Sequence, residues 1–213
     1  MVKSFTFNHF EVNCYVVFDE VDKKCAIIDP ACEASFEDAQ LVEFIDSMKL
    51  QPEYILLTHA HVDHIAGLRQ CCEHWNLPVT MHSEGRKLLN QAEAYGSVMG
   101  FAVDNMGDLE VNEINDGDVL HVGQCEIECR YVPGHCPGSI CFVLPADKAV
   151  ITGDALFHFS IGRTDLPGGD YPTLIEKLKT RVLTLPDDYR VLPGHGIASQ
   201  IGKEKKYNSF LVC

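Results

Sequence analysis

One short stretch, residues 58–64, reads Thr58-His59-Ala60-His61-Val62-Asp63-His64, and it follows the apolar, strand-like run Tyr54-Ile55-Leu56-Leu57. Three imidazoles and one carboxylate therefore arrive from a single loop at the end of a predicted strand. Imidazole is a ligand for zinc, iron and nickel, and carboxylate suits harder divalent ions. We interpret the loop as a metal-binding loop rather than as a polar loop with spare histidines.

Four ligands on one loop would crowd a single ion, so their spacing favours two ions. His59 and His61 alternate, and alternate residues of an extended segment point the same way. Asp63 and His64 are adjacent, at the start of a helix predicted from His64 to Trp75, and can reach a second ion. Each ion still lacks ligands, which the rest of the chain must supply.

Three later residues share one local pattern. His135, Asp154 and His195 each follow an apolar, strand-like run, and each has Gly immediately before it. Gly at this place lets the backbone turn tightly and approach a neighbouring group closely. Because clustered His and Asp residues at loop ends are typical of metal sites, we predict that these three residues complete the ligand set.

With these residues in order, the chain resembles the metallo-β-lactamase-fold hydrolases, and among them the short bacterial glyoxalase II-like proteins. The resemblance covers nearly the whole chain, and it includes the stretch Gly162-Arg163-Thr164-Asp165 and the ending from Gly202 to Leu211. It implies one ion on His59, His61 and His135, a second ion on Asp63, His64 and His195, and Asp154 as the bridge between them. The true β-lactamases of this fold are expected to differ, because they replace a ligand with Cys.

The resemblance also implies what the chain acts on. We expect a hydrolase of small acyl thioesters, of the hydroxyacylglutathione type, in which a hydroxide held between two divalent ions attacks the acyl carbon and Asp63 orients that hydroxide. A thiolate leaves without a strong general acid, since its conjugate acid has a pKa near ~8.5. Zinc is the first choice of metal, with iron or manganese as alternatives. The sequence does not name the thiol carrier or the oligomeric state.

Two other functions remain open. One is a persulfide dioxygenase, which shares the ligand set and the Gly162-Arg163-Thr164-Asp165 stretch but uses a single iron. The other is a non-catalytic metal-binding module. RNA-processing branches of the superfamily keep a similar first motif, but the formal net charge of −14 argues against nucleic acid, because phosphate binding needs a basic surface.

Four further residues have two interpretations each. Asp29, which ends a strand, either forms a turn or accepts a hydrogen bond from the ring N–H of a ligating His. Arg163 either contacts a substrate carboxylate or pairs with Asp165, and we prefer the pair. Lys203 and Lys206 either form the solvated face of the last helix or contact the substrate. The stretch around Met99, Phe101 and Met106 is expected either to cover the acyl pocket or to pack on the sheet.

The chain shows no basic and apolar leader and no apolar run of about 20 residues, so we expect a cytoplasmic protein with no membrane segment. Reduced thiols are then expected, mostly as small buried hydrophobes. The ten cysteines are Cys14, Cys25, Cys32, Cys71, Cys72, Cys125, Cys129, Cys136, Cys141 and Cys213. Cys136, next to a predicted ligand, is expected to lie beside the metal rather than to act as a nucleophile.

Hydrophobic spacing predicts more strands than helices. Strands are predicted at Lys3–His9, Cys14–Asp19, Cys25–Asp29, Tyr54–Thr58, Pro78–His82, Val119–Val122, Glu126–Val132, Ile140–Leu144, Ala149–Thr152 and Arg190–Leu192. Helices are predicted at Phe36–Lys49, His64–Trp75, Glu84–Tyr95, Tyr171–Leu183 and Ser199–Tyr207, with a loop from Gly96 to Leu109. Two mixed sheets packed face to face with outer helices is the economical arrangement. We therefore expect a single α/β domain over residues 1–213, a four-layer αβ/βα sandwich without a separate glutathione-binding domain.

Overall fold

The computed structural model describes residues 1–212, and Cys213 lies outside the described residues. Two six-stranded sheets pack face to face, and α-helices cover their outer faces. The predicted four-layer αβ/βα sandwich is therefore confirmed. In the described part of the chain, no helix is long and apolar enough to cross a membrane.

The first sheet keeps its strands in chain order. They are β1 (Val2–Phe7), β2 (Val12–Phe18), β3 (Lys24–Ile28), β4 (Gln51–Leu56), β5 (Val79–Met81) and β6 (Val111–Glu113). From β3 onward the pairs are parallel, so each connection needs a crossover. The crossovers contain the helices α1 (Ser35–Ser47), α2 (Leu68–Trp75), α3 (Arg86–Asn90) and α4 (Ala92–Met99).

The strands of the second sheet are β7 (Val119–Val122), β8 (Cys125–Tyr131), β9 (Ile140–Leu144), β10 (Ala149–Gly153), β13 (Arg190–Pro193) and β14 (Ser199–Gln200). They lie in the order β14-β13-β10-β9-β8-β7. A separate hairpin consists of β11 (Leu156–Phe157) and β12 (Ser160–Ile161). Helix α5 (Tyr171–Lys177) continues into a π-helical turn, Leu178–Val182, and α6 (Ile201–Tyr207) follows β14.

Strand β2 shows why the sandwich forms. Cys14 and Val16 face the helical layer, whereas Tyr15 and Val17 face the second sheet, and all four are buried. A strand covered on both faces is apolar throughout rather than alternating. The nine described cysteines are free and all but Cys125 are buried, as expected of thiols that act as small core residues.

The two sheets meet at the edge where the metal-binding loop lies. The backbone N–H of Asn13 donates to the carbonyl of Gly194 (2.7 Å), and the N–H of Ile140 donates to the carbonyl of Thr58 (2.8 Å). Each of these bonds joins a strand of one sheet to a loop at the end of a strand of the other. The loops that carry the predicted ligands are therefore held side by side.

The helix predicted from His64 to Trp75 is wrong at its start. Residues Val62–Ile65 form a 3₁₀ turn, and α2 begins only at Leu68. The interruption is at Gly67, whose N–H donates to the carbonyl of Pro30 (2.9 Å). A Cβ on Gly67 would lie 2.9 Å from the Cβ of Cys32, so the close approach of two chain segments breaks the helix.

The predicted end of the next helix is also wrong. Instead of a helix Glu84–Tyr95 and a loop from Gly96, a 3₁₀ turn at Ser83–Gly85 precedes α3 and α4, and α4 runs to Met99. Gly96 lies inside α4, where the loop after the helix packs closely on it: a Cβ on Gly96 would lie 3.0 Å from the carbonyl oxygen of Phe101 and 3.3 Å from the Cβ of Val103. The helix ends at Gly100, which has φ +87°.

The shortest elements were not predicted. These are β6, the hairpin of β11 and β12, and β14, which occupies the first two residues of the helix predicted at Ser199–Tyr207. These strands of two or three residues contain too little alternation to be recognised from hydrophobic spacing, although the three-residue β5 was predicted, as part of Pro78–His82.

Candidate metal centre

Three histidines form what we call the first cluster: His59, His61 and His135. Their ligand nitrogens all lie within 4.8 Å of one another, and His135 Nε2 is 2.9 Å from His61 Nδ1. His59 and His61 follow β4 of the first sheet, whereas His135 follows β8 of the second. The cluster therefore depends on how the two sheets pack.

Hydrogen bonds on the far side of the rings orient this cluster. His135 Nδ1 donates to the carbonyl of Arg163 (2.8 Å). His59 Nδ1 lies 3.1 Å from Thr58 Oγ1, which itself donates to Asp29 Oδ2 (2.6 Å). Because a hydrogen bond at one ring nitrogen fixes the tautomer, Nε2 of His59 and of His135 is left with its lone pair facing the cluster.

Asp63, His64 and His195 form the second cluster. Their ligand atoms also lie within 4.8 Å of one another, with His195 Nε2 at 3.2 Å from Asp63 Oδ2 and at 3.3 Å from His64 Nε2. The outer ring nitrogens are again engaged. His64 Nδ1 contacts Asp29 Oδ2 (3.0 Å), and His195 Nδ1 donates to the carbonyl of Phe10 (2.9 Å).

Asp154 lies between the two clusters. Its Oδ1 is 3.3 Å from His64 Nε2, and its Oδ2 is 3.6 Å from His195 Nε2 and 3.8 Å from His135 Nε2. The residue directly follows β10, the central neighbour of β9 and β13. It is thus the carboxylate that contacts histidines of both clusters.

The two clusters differ in charge. In the first, burial and the nearby His135 lower the pKa of His61 to about 4, and burial together with His64 lowers the pKa of His59 well below its usual value. In the second, burial opposes the charged form of His64, but Asp154 and Asp63 raise its pKa well above the usual value. The first cluster therefore consists of neutral imidazoles.

The carboxylate between the clusters is ionised. Burial alone would raise the pKa of Asp154, but the charge and hydrogen bonding of His64, together with the charge of His195, lower it below its usual range. His64, in the same way, lowers the pKa of Asp63 against the effect of burial. The two ionised carboxylates and the neutral imidazoles of the first cluster are in protonation states that bind divalent ions, whereas His64 and His195 would have to be deprotonated to bind one.

The donor set fits two such ions. Buried polar atoms almost always have a hydrogen-bond partner, yet the buried His59 Nε2 has none, and Asp154 Oδ1 makes no hydrogen bond. Two nitrogens bound at about 2.1 Å to one tetrahedral ion lie roughly 3.4 Å apart. The 2.9 Å and 3.3 Å separations within the two clusters are close to this value, as expected for groups that share an ion.

The glycines before the ligands have the effect predicted from the sequence. A Cβ on Gly194 would lie 2.2 Å from Asp154 Oδ1, and a Cβ on Gly153, which has φ +49°, would lie 2.3 Å from Thr58 Oγ1. Any side chain at these positions would collide with the site. The predicted close approach is therefore confirmed.

Several residues that hold the loops in place were not identified from the sequence. Asn13 Nδ2 donates to the carbonyls of Pro193 (3.0 Å) and Gly196 (2.9 Å), on either side of His195. The hydroxyl of Tyr15 also donates to Pro193 (2.7 Å), and Asn8 Nδ2 donates to the carbonyl of Asp63 (2.8 Å). A signal was present for Asn13, since a polar side chain inside an otherwise apolar strand needs a buried partner.

Cys136 is buried behind the first cluster. Its Sγ lies within 4.8 Å of the ligand nitrogens of His59, His61 and His135, and 3.3 Å from Ser139 Oγ. Burial raises the pKa of this thiol to about 12. It is placed beside the predicted metal ligands, as expected, and the pKa is unsuited to a nucleophile.

A cavity of about 600 Å³ opens onto both clusters. Its lining comes from the metal-binding loops, from α3 and α4, and from two loops at the mouth. The lining residues are Phe10, Ala60, His61, Val62, Asp63, Leu88, Ala92, Tyr95, Val98, Met99, His135, Asp154, Arg163, Leu166, Pro167 and His195. Of the stretch expected to cover an acyl pocket, Met99 lines the cavity, whereas Phe101 and Met106 pack in the core of the first sheet.

Of the three side chains considered as substrate contacts, Arg163, Lys203 and Lys206, one lies at the cavity. Arg163 lines the cavity, but its guanidinium pairs with both carboxylate oxygens of Asp165 (2.8 and 2.7 Å). The structure does not bring Lys203 or Lys206 to the cavity. Both are exposed on α6, and Lys206 Nζ lies 5.0 Å from the ring centre of Tyr207.

Comparisons with known proteins agree with this geometry. Residues 8–195 match the family model described as Metallo-beta-lactamase superfamily. The chain is 36% identical over 209 residues to Hydroxyacylglutathione hydrolase GloC of Haemophilus influenzae, covering 95% of this chain and 93% of the relative. Among solved structures it is similar to the BLEG-1 B3 metallo-beta-lactamase, with 30% identity, a TM-score of 0.89 and 100% of both chains covered. It is also similar to TTHA1623 in a di-iron-bound form, with 34% identity, a TM-score of 0.87, and 98% and 100% of the chains covered.

One of these similar structures is a lactamase. The B3 metallo-beta-lactamase is 30% identical over the whole chain. The expected Cys in place of one ligand in the β-lactamases of this fold stays a prediction.

Proposed function

The chain belongs to the metallo-beta-lactamase superfamily, and we propose that it is a dinuclear metal-dependent hydrolase of acyl thioesters, similar to glyoxalase II, that acts as a single domain. The observation that carries the proposal is the pair of clusters with Asp154 between them, at the floor of one cavity. A relative named as a hydroxyacylglutathione hydrolase, 36% identical to the chain, supports a thioester substrate.

The first cluster would hold one ion, the second cluster the other, and Asp154 would bridge them. Bound there, divalent ions supply a water of pKa near ~7 and polarise a carbonyl oxygen. Zinc is the first choice because imidazole predominates, and iron and manganese accept the same donors.

Asp63 is the residue we assign to proton handling. Its side chain lines the cavity, and its Oδ2 lies 3.2 Å from His195 Nε2. From this position Asp63 Oδ2 can accept a hydrogen bond from the attacking water and orient its lone pair toward an acyl carbon in the cavity. Proton acceptance at this atom requires the ionised carboxylate, which agrees with the lowered pKa of Asp63.

The lining of the cavity favours thioesters over amides. Among the described lining residues, Asp63 and Asp154 are the only carboxyl groups, and both are ionised. No carboxylic acid is left to protonate a leaving group. An amine leaves poorly without such a proton, whereas a thiolate, with a conjugate acid of pKa near ~8.5, leaves unaided.

Two other reactions are alternatives. The similarity to a B3 metallo-beta-lactamase favours hydrolysis of a β-lactam as the second candidate. A persulfide dioxygenase that uses one iron is the other alternative. Because the resemblance gives it the same ligand set, the number of ions bound, rather than the presence of the second cluster, distinguishes it from the hydrolase.

Metal analysis combined with a substrate panel tests the proposal. We expect two ions per chain at saturation, and release of thiol from acyl thioesters that stops with a chelator and returns with zinc, iron or manganese. The panel includes a chromogenic cephalosporin, and glutathione persulfide with an oxygen electrode. One ion at saturation with oxygen uptake would replace the hydrolase by the dioxygenase, and turnover of the cephalosporin alone would replace it by a lactamase.

A further inference from the structure

Large apolar side chains are exposed around the mouth of the cavity. Phe10, Tyr95, Val98, Met99 and Leu166 are all exposed to solvent, and all line the same cavity. Single exposed apolar residues are ordinary on a protein surface. A group of them around one opening is typical of a ligand-binding groove.

The apolar surface continues from the mouth to the metal-binding residues. Ala60 and Val62, which alternate with His61 and Asp63 along the loop, are buried in the cavity floor, and Ala92 of α4 is buried opposite them. A group that reacts at the clusters would therefore have apolar wall along its length. A groove for a protein partner would not need to lead to the metal-binding residues.

Packing contacts connect the parts of this wall. At Gly96 of α4, a Cβ would lie 3.0 Å from the carbonyl oxygen of Phe101 and 3.5 Å from Val62 Cγ2. Phe10 at the mouth packs edge-to-face on the buried Phe101 with ring centres 5.2 Å apart, and His9 stacks on Phe101 at 4.5 Å. The contacts therefore connect α4, the loop after it and the loop after β1.

The cavity offers little to a charged carrier or to a small polar acyl group. Apart from the predicted metal ligands, Arg163 is the only ionised side chain among the described lining residues, and it is paired with Asp165. The carboxylates of glutathione would thus find few cationic partners here. A three-carbon hydroxyacyl group would leave most of the roughly 600 Å³ and its apolar wall in contact with water.

We propose, on the basis of the proposed thioester hydrolysis, that the substrate carries a medium-length aliphatic acyl chain, which lies along α4 with its carbonyl at the two clusters. This replaces the small 2-hydroxyacyl group expected from the resemblance. The reaction is that of a thioester: water adds to the acyl carbon, the C–S bond breaks, and the products are a carboxylate, a thiol and a proton.

A chain-length series on one thiol measures the contribution of the wall. Each methylene that moves from water into an apolar site contributes about 0.8 kcal/mol, which is about fourfold in kcat/KM. We therefore expect kcat/KM to rise about fourfold per methylene from the acetyl to the butyryl and hexanoyl thioesters, with the lactoyl thioester near the acetyl value. A flat series, or a preference for the lactoyl thioester, would overturn the inference while leaving thioester hydrolysis in place.

A matched pair of variants locates the effect. Val98 on α4 is 82% exposed and Val21, in the turn after β2 and outside the cavity, is 78% exposed, so Asp is tolerated at either position by the fold. Val98→Asp should lower kcat/KM for the hexanoyl thioester about tenfold more than it lowers the value for the acetyl thioester, with two ions per chain retained. Val21→Asp should change neither. Identical chain-length series for the two variants would contradict the placement of the acyl chain along α4.

Binding separates this inference from the proposed function. The probe is the ketone in which methylene replaces the sulfur of the hexanoyl thioester, measured by calorimetry with the metal-loaded protein. Binding that Val98→Asp weakens, without hydrolysis of any thioester, would overturn the proposed function and keep the apolar acyl site. Hydrolysis of the lactoyl thioester without binding of the ketone would overturn the acyl site and keep the proposed function.

Discussion

The first and second clusters contain three side chains each, but they differ in the pKa values of their histidines and in the number of carboxylates. The first consists of imidazoles whose pKa values lie below the usual value, and it has no carboxylate of its own. The second includes Asp63, and the pKa values of His64 and His195 are raised. Among the described residues, Asp154 is the carboxylate placed to bind an ion in the first cluster, whereas an ion in the second cluster has both Asp63 and Asp154.

The buried carboxylate of Asp29 stands behind rings of both clusters. It contacts His64 directly (3.0 Å), but it reaches His59 only through Thr58 Oγ1. A carboxylate behind a ligating imidazole raises the basicity of the ligand, so this effect is larger at His64. The other ring anchors described in the two clusters are neutral backbone carbonyls.

The largest effect should come from the residue that the two clusters share. Asp154→Ala removes the carboxylate that lies between the two clusters, so both ions should be lost, and activity should fall by more than the roughly 10–100-fold typical of residues behind the ligands. His195→Ala should reduce mainly the second ion. Elemental analysis of both variants, with thioester hydrolysis measured on the same samples, compares the two changes.

Asp154→Asn serves as the control of similar size, with circular dichroism to confirm folding. Equal and mild losses of metal in Asp154→Ala and His195→Ala would show that Asp154 does not bridge the ions.

Substitution of Asp29 should have a smaller effect on metal binding, and this effect should differ between the two ions. Its carboxylate accepts hydrogen bonds from the backbone N–H of Thr58 (2.7 Å) and from Thr58 Oγ1 (2.6 Å), and its Oδ2 contacts His64 Nδ1 (3.0 Å). Asp29 has φ 51°, a left-handed conformation that Asn also adopts readily. Asp29→Asn therefore removes charge and one acceptor without adding backbone strain.

We expect Asp29→Asn to weaken the second ion by about 10–100-fold and the first by less. Metal titration followed by calorimetry separates the two binding steps, and Asp165→Asn, at an exposed carboxylate outside the clusters, is the control. Equal weakening of both ions would mean that Asp29 acts through the loop as a whole rather than through His64.

The sequence was sufficient for the fold and for the set of residues that converge. The seven predicted residues lie at the ends of strands, and Gly before a ligand is a local signal, so no knowledge of tertiary contacts was needed to select them. The layers follow from apolar strands such as β2, which both the helices and the second sheet cover. The residue types of the predicted ligands and their spacing can therefore be recognised in short stretches of sequence.

What the sequence could not supply depends on contacts between distant segments. His195 is held by the carbonyl of Phe10, 185 positions away, and every residue offers the same carbonyl. The close packing of α4 on the loop after it depends on the absence of a side chain at Gly96, opposite the carbonyl oxygen of Phe101, whereas the sequence predicted a loop beginning at Gly96. Lys203 and Lys206 were selected for their nearness in sequence to a motif, which does not place them near the cavity.

The smallest effect should come from substitution of Arg163, although its backbone carbonyl orients His135 of the first cluster. His135 Nδ1 bonds to the carbonyl of Arg163, which any residue retains, and the guanidinium forms an exposed pair with Asp165. Exposed ion pairs of this kind contribute little to stability. Arg163→Ala should therefore keep two ions per chain and an unchanged Tm.

The adjacent change Gly162→Ala gives the contrast, because a Cβ there would lie 1.9 Å from the carbonyl oxygen of Asp154, and this variant should lose metal. If Arg163→Ala loses the ion of the first cluster, the guanidinium rather than the carbonyl supports His135. If it keeps both ions but raises KM only for thioesters of carriers with carboxylates, Arg163 leaves Asp165 to bind the carrier.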